Sequence, residues 1–340
     1  MQTKFFAYHS DGEAHLYTLK NKNETRLAVT DAGAAVVSLI YRGVDVALGW
    51  EKGEDYKSNP GSLGATVGRN ANRIAGGRFR LNGETIQLAK NDGENNLHSG
   101  PDAYKKRLWQ TVEANDERIT FLMDSPDGDQ GLPGHMRLFA SYELNNEDIV
   151  TLSYRAVSDQ DTILNPTNHT YFNLNGQDSG DARDHILRIY AKSFTPSDTG
   201  LIPTGEIAPV EGTPLDFQYA HAIGRDMDLR DPLLAAAKGY DHNYCLWGKG
   251  LRTAAELRGD KSGILLTVLT DRPGVQLYTA NSFSARGGKN GAEYRPYCAV
   301  CLETQAWPDA VNHPDFPSTV LKAGETFFSR TIWRFSHPED

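Results

Sequence analysis

Turn-forming residues interrupt this chain at short intervals, and that spacing strongly limits the folds that it can adopt. The 340 residues include 32 glycines and 16 prolines. Between them lie runs of four to eight residues in which apolar and polar side chains alternate, which is typical of β-strands that bury one face. The clearest runs are residues 26–30, 36–41, 118–123, 136–142, 149–156, 186–190, 264–269 and 326–335. The pattern therefore predicts many short strands.

Local turn and helix signals agree with this prediction. Asn82-Gly83 separates two alternating segments, and this pair favours a type I′ hairpin because both central residues need positive φ. Helical periodicity is convincing only over residues 232–238, with Asp231 as N-cap and Gly239 as the stop. Many short strands with very little helix predict an all-β fold, a large antiparallel β-sandwich. Since the sequence contains no low-complexity linker, charged block or fixed-period repeat, we expect one domain over residues 1–340.

Charge and hydropathy exclude several classes of partner. The chain has 35 basic and 44 acidic side chains, a formal charge of −9. Nucleic acid is a poor partner because phosphate binding depends on clustered Lys and Arg, and no basic block is present. Nowhere do about 18 apolar residues run together, and the first ten residues lack the apolar stretch of a secretory signal. We therefore expect a cytoplasmic protein that binds neither nucleic acid nor membranes.

Cysteine and histidine spacing gives little support for redox or metal chemistry. Cys298 and Cys301 form a C-x-x-C pair, but residues 297–305 have the pattern of a strand, whereas redox pairs of this type lie at a helix N-terminus. Buried thiols are therefore the prediction. No histidine pair has the spacing of a metal-binding motif, so we expect no metal site.

Two segments carry polar side chains where the strands of this chain otherwise bury apolar ones. In residues 165–174, alternation would place His169 and Tyr171 on one face with other hydrogen-bonding side chains. Glu303 lies inside the apolar run 300–305, where a carboxylate is costly unless it meets donors or takes part in chemistry. A structural reading stays open for both: a hydrogen-bonded core histidine and a glutamate bonded to backbone amides.

Three polar segments carry side chains of the kind that recognise a polyhydroxylated ligand. They are residues 68–75, 96–100 and 239–244, and their candidates are Asn72, Arg73, His98 and Asp241. Each is weak alone, because Arg and Asp in loops are usually solvated.

The chain resembles the aldose 1-epimerase (galactose mutarotase) family in seven segments that follow the order of the family: residues 67–74, 96–98, 127–134, 166–174, 239–244, 273–279 and 303–305. The resemblance implies a large β-sandwich enzyme that interconverts the α and β anomers of aldohexoses such as galactose and glucose. It implies that Glu303 is the general base and His169 the general acid. The residues that it places around the sugar are Asn72, Arg73, His98, Asp241 and Gln276. Ser99 and Gln218 depart from the family pattern, which bears on substrate preference.

Anomer exchange requires two groups of opposite role. One removes the proton of the anomeric hydroxyl while the other protonates the ring oxygen; the ring opens, the anomeric carbon rotates, and the ring closes on its other face. A carboxylate with a pKa of about 4.3 is a base at neutral pH, and a histidine of about 6.5 can hold the proton to be delivered. Neither role needs a cofactor. We expect a small aldose as the partner, and a monomer or homodimer.

Other functions stay open on the sequence alone. Asp241 and Glu303 would also suit the acid and base of a glycoside hydrolase. A carbohydrate-binding module without catalysis is a third interpretation. A mutarotase for hexose 6-phosphates would need more basic residues than Arg69 and Arg73. Trp307 or Phe172 would stack on the sugar ring or pack in the core.

Overall fold

A computed structural model describes residues 1–339 and consists mainly of antiparallel sheets. The largest has nine strands, which in spatial order are Gln110–Ala114, Arg118–Ser125, Met136–Leu144, Ile149–Ser158, Thr326–Ser336, Leu265–Thr270, Arg252–Arg258, Ile186–Ile189 and His221–Ala222. A second has six strands, Tyr171–Phe172, Val300–Gln305, Gly274–Tyr278, Asp241–Cys245, Ser193–Phe194 and Ala208–Pro209. The all-β prediction is confirmed.

The other strands of the described residues form smaller sheets. A five-stranded sheet contains Gln2–His9, Gly12–Lys20, Arg26–Thr30, Ala35–Tyr41 and Val44–Asp45. The two-stranded pairs are Arg73–Ile74 with Asn96–Leu97, Thr66–Val67 with Thr167–Asn168, Arg78–Leu81 with Glu84–Gln87, Thr162–Ile163 with Val320–Leu321, and Ala285–Arg286 with Glu293–Tyr294. The 3₁₀ turns are Gly53–Lys57, Pro60–Ser62, Ala75–Gly77, Tyr104–Lys106, Asp129–Gly131, Ile223–Asp226, Lys289–Gly291 and Ala310–Asn312.

Local chemistry explains why these elements form where they do. Met136–Leu144 buries every second residue, as its alternating sequence predicts. Asn82 and Gly83 have φ values of 51° and 87°, which confirms the predicted hairpin. The α-helix spans Pro232–Ala235, and the Asp231 side chain caps it by accepting from the Leu233 amide at 2.8 Å. It is shorter than the predicted 232–238. None of the helices within residues 1–339 has the length and apolar character that a membrane span requires.

The main hydrophobic core lies between the nine-stranded and six-stranded sheets. Leu138 and Trp333 enter it from the larger sheet, and Leu277 and Leu302 enter it from the smaller one. Phe172 packs edge to face on Trp333, with ring centroids 5.2 Å apart. Phe172 is therefore a core residue.

Strand Val300–Gln305 is buried on both faces. One face, which includes Leu302, contributes to the main core, and the hydroxyl of Thr304 bonds that of Thr331 in the larger sheet. Because successive strand residues point to opposite faces, Cys301 and Glu303 project away from this core. Cys298 and Cys301 are buried free thiols, as predicted.

Candidate active site

The outer face of the six-stranded sheet carries a row of polar side chains across three neighbouring strands. Asn243 is paired with Gln276, and Gln276 is paired with Glu303. Asp241 lies two residues before Asn243 and so shares its face. Directly paired residues in a sheet have adjacent side chains, so the register itself assembles this row. Sequence segments far apart thereby meet at one place.

A cavity of about 410 Å³ opens above this row. Its size is within the ordinary range of small-molecule sites, about 300–1,000 Å³. Six predicted site residues line it, namely Asn72, Arg73, His98, His169, Asp241 and Glu303. The lining also includes Ser62, Lys105, Tyr171, Tyr278 and Ser282. The predicted acid, base and binding side chains therefore share one hollow.

Glu303 and His169 face each other in this cavity. The His169 Nε2 atom lies 3.6 Å from Oε1 of Glu303, and the two residues are only 6% and 3% exposed. Oε2 of Glu303 has no hydrogen-bond partner among residues 1–339. The structural alternative, a glutamate satisfied by backbone amides, thus leaves this oxygen unexplained. A buried acceptor without a donor is costly, and such groups concentrate at functional sites.

Burial moves the pKa values of this pair in opposite directions. Burial raises the pKa of Glu303 well above its ordinary value; the negative charge of Asp241 raises it further, and Arg73 opposes both. Burial lowers the pKa of His169 to about 3, and the positive charge of Lys105 contributes. Burial therefore favours the neutral form of both groups, and it favours the carboxyl of Glu303 as the site of the proton that the pair shares. Their ordinary pKa values would place that proton on the histidine.

The His169 ring is fixed by contacts on its other sides. Its Nδ1 atom lies 3.6 Å from Sγ of Cys301, which occupies the same strand face as Glu303. The ring stacks on Tyr171 with centroids 4.9 Å apart and an interplanar angle of 20°, and Tyr278 meets it edge on. These contacts keep Nε2 directed at Glu303.

His98 is oriented as a neutral donor. Its Nδ1 atom accepts from the backbone N–H of Asn72 at 3.1 Å, which leaves the ring proton on Nε2. Burial lowers the pKa of His98 well below its ordinary value, and the neighbouring His169 contributes. His98 therefore offers an N–H to a ligand without carrying a charge.

A hydrogen-bond network holds Asp241 and Arg73 at the cavity wall. The Nε of Arg73 donates to Asp92 at 2.7 Å, and its Nη1 lies 3.8 Å from Asp241. Gln276 donates to Oδ1 of Asp241 at 2.7 Å. Gln276, which the resemblance places around the sugar, is absent from the cavity lining and supports Asp241 from behind.

Lys105 is a residue of the wall that carried no readable signal in the sequence, whereas alternation already placed Tyr171 beside His169. Lys105 lies on the 3₁₀ turn Tyr104–Lys106, which has no periodic pattern. Tyr171 and Tyr278 supply the aromatic wall. Trp307 packs in a separate small cluster with Phe316, so it takes no part in the lining.

Arg69, the other basic residue considered for phosphate, is structural. Its side chain is fully buried and donates to the backbone carbonyls of Ser125, Pro126, Pro133 and Gly134 at 2.9–3.1 Å. These carbonyls belong to the loop around the polar segment 127–134. Arg69 thus orders that loop and does not reach the cavity.

Comparisons of sequence and of structure with known proteins point to the same family. The sequence profile of the family described as aldose 1-epimerase matches residues 15–334. Galactose mutarotase from Bos taurus is 43% identical over 297 residues, covering 87% of this chain and 85% of the relative. Aldose 1-epimerase from Escherichia coli K12 is 36% identical over 335 residues and 96% of both chains. The crystal structure of galactose 1-epimerase from Lactobacillus acidophilus superposes with a TM-score of 0.88 at 30% identity, covering 99% of this chain and 98% of that one.

Proposed function

The chain belongs to the aldose 1-epimerase family, and from this premise we propose that Glu303 and His169 exchange the anomers of an aldose bound between them. The enzyme interconverts the α and β anomers of aldohexoses such as galactose and glucose. The observation that best supports the assignment is the unpaired Oε2 of buried Glu303, beside His169 in a sugar-sized cavity. An anomeric hydroxyl is the donor that this oxygen lacks.

The hydroxyl of the substrate itself prepares the base. A hydrogen bond donated to Oε2 favours the ionised form of Glu303 and so lowers its pKa again. The proton moves to His169, whose imidazolium is stabilised by the carboxylate 3.6 Å away. Glu303 then takes the proton of the anomeric hydroxyl while His169 protonates the ring oxygen. After rotation of the opened chain, the two groups exchange roles and the ring closes.

The other predicted residues hold the sugar. Asp241 accepts from ring hydroxyls, and its own position is set by Gln276. Arg73, Asn72 and the Nε2–H of His98 are donors. Tyr171 and Tyr278 cover apolar parts of the ring.

Asp241→Asn should raise the KM for galactose about ten- to a hundredfold, because a buried polar group that loses its partner costs about 1–3 kcal/mol. The kcat should change less, since Asp241 does not move the proton. Initial rates by polarimetry over a range of sugar concentrations measure both. Asp92→Asn is the matched control: it loosens Arg73 from outside the cavity lining and should raise KM less. Equal effects of the two variants would contradict direct binding by Asp241.

The pH profile of kcat/KM should show a broad plateau. The pair gains a second proton only near the lowered pKa of His169, about 3, and loses its one proton only above the raised pKa of Glu303. Activity should therefore not fall as pH decreases through about 6.5, the ordinary histidine value. Polarimetry with the buffer rate subtracted at each pH tests this. An acidic limb centred near that value would show that burial does not depress His169.

We also propose that residues 1–340 form one domain that works in the cytoplasm as a monomer or homodimer. A continuous core shared by the nine-stranded and six-stranded sheets supports one domain. Three free thiols suit a reducing compartment. Sedimentation of the purified chain would give the oligomeric state.

Optical rotation is the direct test of the activity. Freshly dissolved α-galactose and α-glucose should reach equilibrium rotation faster with the protein than in buffer. An aryl galactoside should release no reducing sugar, since the assigned pair acts on a free anomeric hydroxyl. Release of sugar would favour the glycosidase interpretation instead.

A further inference from the structure

The cavity contains a cation that the proposed reaction does not use. Lys105 lines the wall, and its ammonium donates to the hydroxyl of Ser62 at 3.0 Å. Arg73, by contrast, is bound by Asp92 and lies near Asp241. Within residues 1–339 no ion pair joins Lys105 to a carboxylate, and burial lowers the pKa of Lys105 to about 8, with Lys106 contributing. A partly desolvated ammonium without a counter-charge is unusual in a ligand cavity.

The backbone holds both partners of this contact in place. The Gly33 N–H donates to the backbone carbonyl of Arg107 at 2.8 Å. A Cβ on Gly33 would lie 2.7 Å from the carbonyl oxygen of Lys105. The main chain at Lys105 is therefore packed closely on Gly33. Ser62 is 3% exposed and has φ of 62°, a conformation that costs energy in a serine and occurs preferentially at functional sites.

The donors at this position suit an anion. The ammonium has three protons, of which one is used by Ser62, and the Ser62 hydroxyl that accepts it still has its own proton to donate. A carboxylate acceptor adds a Coulombic attraction to the ammonium that a neutral hydroxyl lacks, and it makes the bond from the Ser62 hydroxyl charge-assisted.

The balance of charge in the lining points the same way. The whole chain carries −9, yet the cavity wall has three cations, Arg73, Lys105 and Lys238, against Asp241 and Glu303. Asp92, just outside the lining, offsets Arg73, so the excess comes from Lys105 and the exposed Lys238 against Asp241 and a Glu303 whose raised pKa favours its neutral form. A site for neutral sugars alone has no need of this excess.

The position of Lys105 indicates which part of a sugar it would meet. Ser62, to which Lys105 donates, lies in a turn that is bonded to the His169 segment. The Gly64 N–H donates to the His169 carbonyl at 3.0 Å, and Tyr171, whose ring stacks on His169, donates its hydroxyl to the Gly61 carbonyl at 2.8 Å. The placement of the sugar rests on the proposed function, in which His169 protonates the ring oxygen. In a pyranose, that oxygen is bonded to C5, which carries C6. Lys105 therefore lies on the C6 side of the ring.

We propose that the enzyme also interconverts the anomers of hexuronates, with Lys105 and Ser62 binding the C6 carboxylate. One ammonium and one hydroxyl match the single charge and two oxygens of a carboxylate. A phosphate dianion would leave charge uncompensated at this position. A neutral aldose places its C6 hydroxyl there and gains less binding free energy from these donors.

Polarimetry of galacturonate, galactose and galactose 6-phosphate at neutral pH tests the proposal. The wild-type enzyme should accelerate the mutarotation of galacturonate. Lys105→Met should reduce kcat/KM for galacturonate relative to galactose about tenfold or more, because it removes a charge-assisted bond. Lys106→Met is the matched control: Lys106 is the exposed neighbour whose ammonium bonds the Pro101 carbonyl, and it is absent from the cavity lining. It should leave that ratio unchanged.

The possible results distinguish the proposed anomer exchange from the hexuronate assignment. No acceleration with galactose would overturn the proposed function itself. Acceleration with galactose but not with galacturonate, or an equal loss for both sugars in Lys105→Met, would overturn the hexuronate assignment alone. A higher kcat/KM for galactose 6-phosphate than for galacturonate would overturn the choice of a carboxylate. Lys105→Gln with an unchanged melting temperature guards against a folding defect, and it should show the same selective loss.

Discussion

Glu303→Gln should lower kcat for galactose about 10²- to 10⁴-fold, the usual contribution of a general base. Glutamine keeps the size of the side chain but cannot take the anomeric proton. Binding should largely survive, because the amide still fills the same space beside His169. Stability should not fall either, since Oε2 of Glu303 makes no hydrogen bond within residues 1–339 that the variant would lose.

The measurement is polarimetry with the buffer rate subtracted, together with calorimetric binding of galactose and a thermal melt. Glu143→Gln is a suitable control because Glu143 pairs with Arg118 on the nine-stranded sheet, away from the cavity lining. Its turnover should equal that of the wild type. Normal turnover by Glu303→Gln would remove Glu303 as the base.

His169→Asn should cause a comparable loss of kcat, because the ring that delivers the proton is gone. The melting temperature should change little: the side chain makes a long 3.6 Å contact with the Cys301 sulfur and a ring stack, without a short hydrogen bond. The same variants measured by polarimetry and thermal melting separate catalysis from folding.

His185→Asn offers the matched comparison. His185 is also fully buried, but its Nε2 accepts from the Leu174 amide at 2.9 Å outside the cavity. Removing that acceptor leaves a buried N–H unpaired, which costs about 1–3 kcal/mol of stability. This variant should melt earlier yet keep its turnover per folded molecule. If His169→Asn behaved in the same way, His169 would have a structural role.

Local features of the fold were readable from the sequence, and long-range ones were not. Alternation in Met136–Leu144 and the Asn82-Gly83 turn depend on neighbouring residues, so pattern alone predicts them. The pairing of Gln276 with Glu303 is a matter of register between strands. For that reason the support that Gln276 gives to Asp241 became evident only in the structure.

The pKa values and charge contacts of the site could not be predicted from the sequence either. Ordinary pKa values assign the proton to His169, but burial, which depends on the tertiary fold, lowers the pKa of His169 and raises that of Glu303, and so favours Glu303 as its site. Arg69 is one of the two basic residues near the motifs that the sequence offers to a phosphate. It is instead enclosed by backbone carbonyls, an environment that no spacing in the sequence reveals.

The two-sided burial of strand Val300–Gln305 has a consequence for how activity and substrate range can change. Its residues alternate between the main core and the cavity, so a substitution at Leu302 would displace Glu303 as well as loosen packing. Lys105 and Ser62 lie on short turns outside the sheets. New sugar preferences can therefore arise by exchanging turn residues while the chemistry, anchored in the sheet, stays intact.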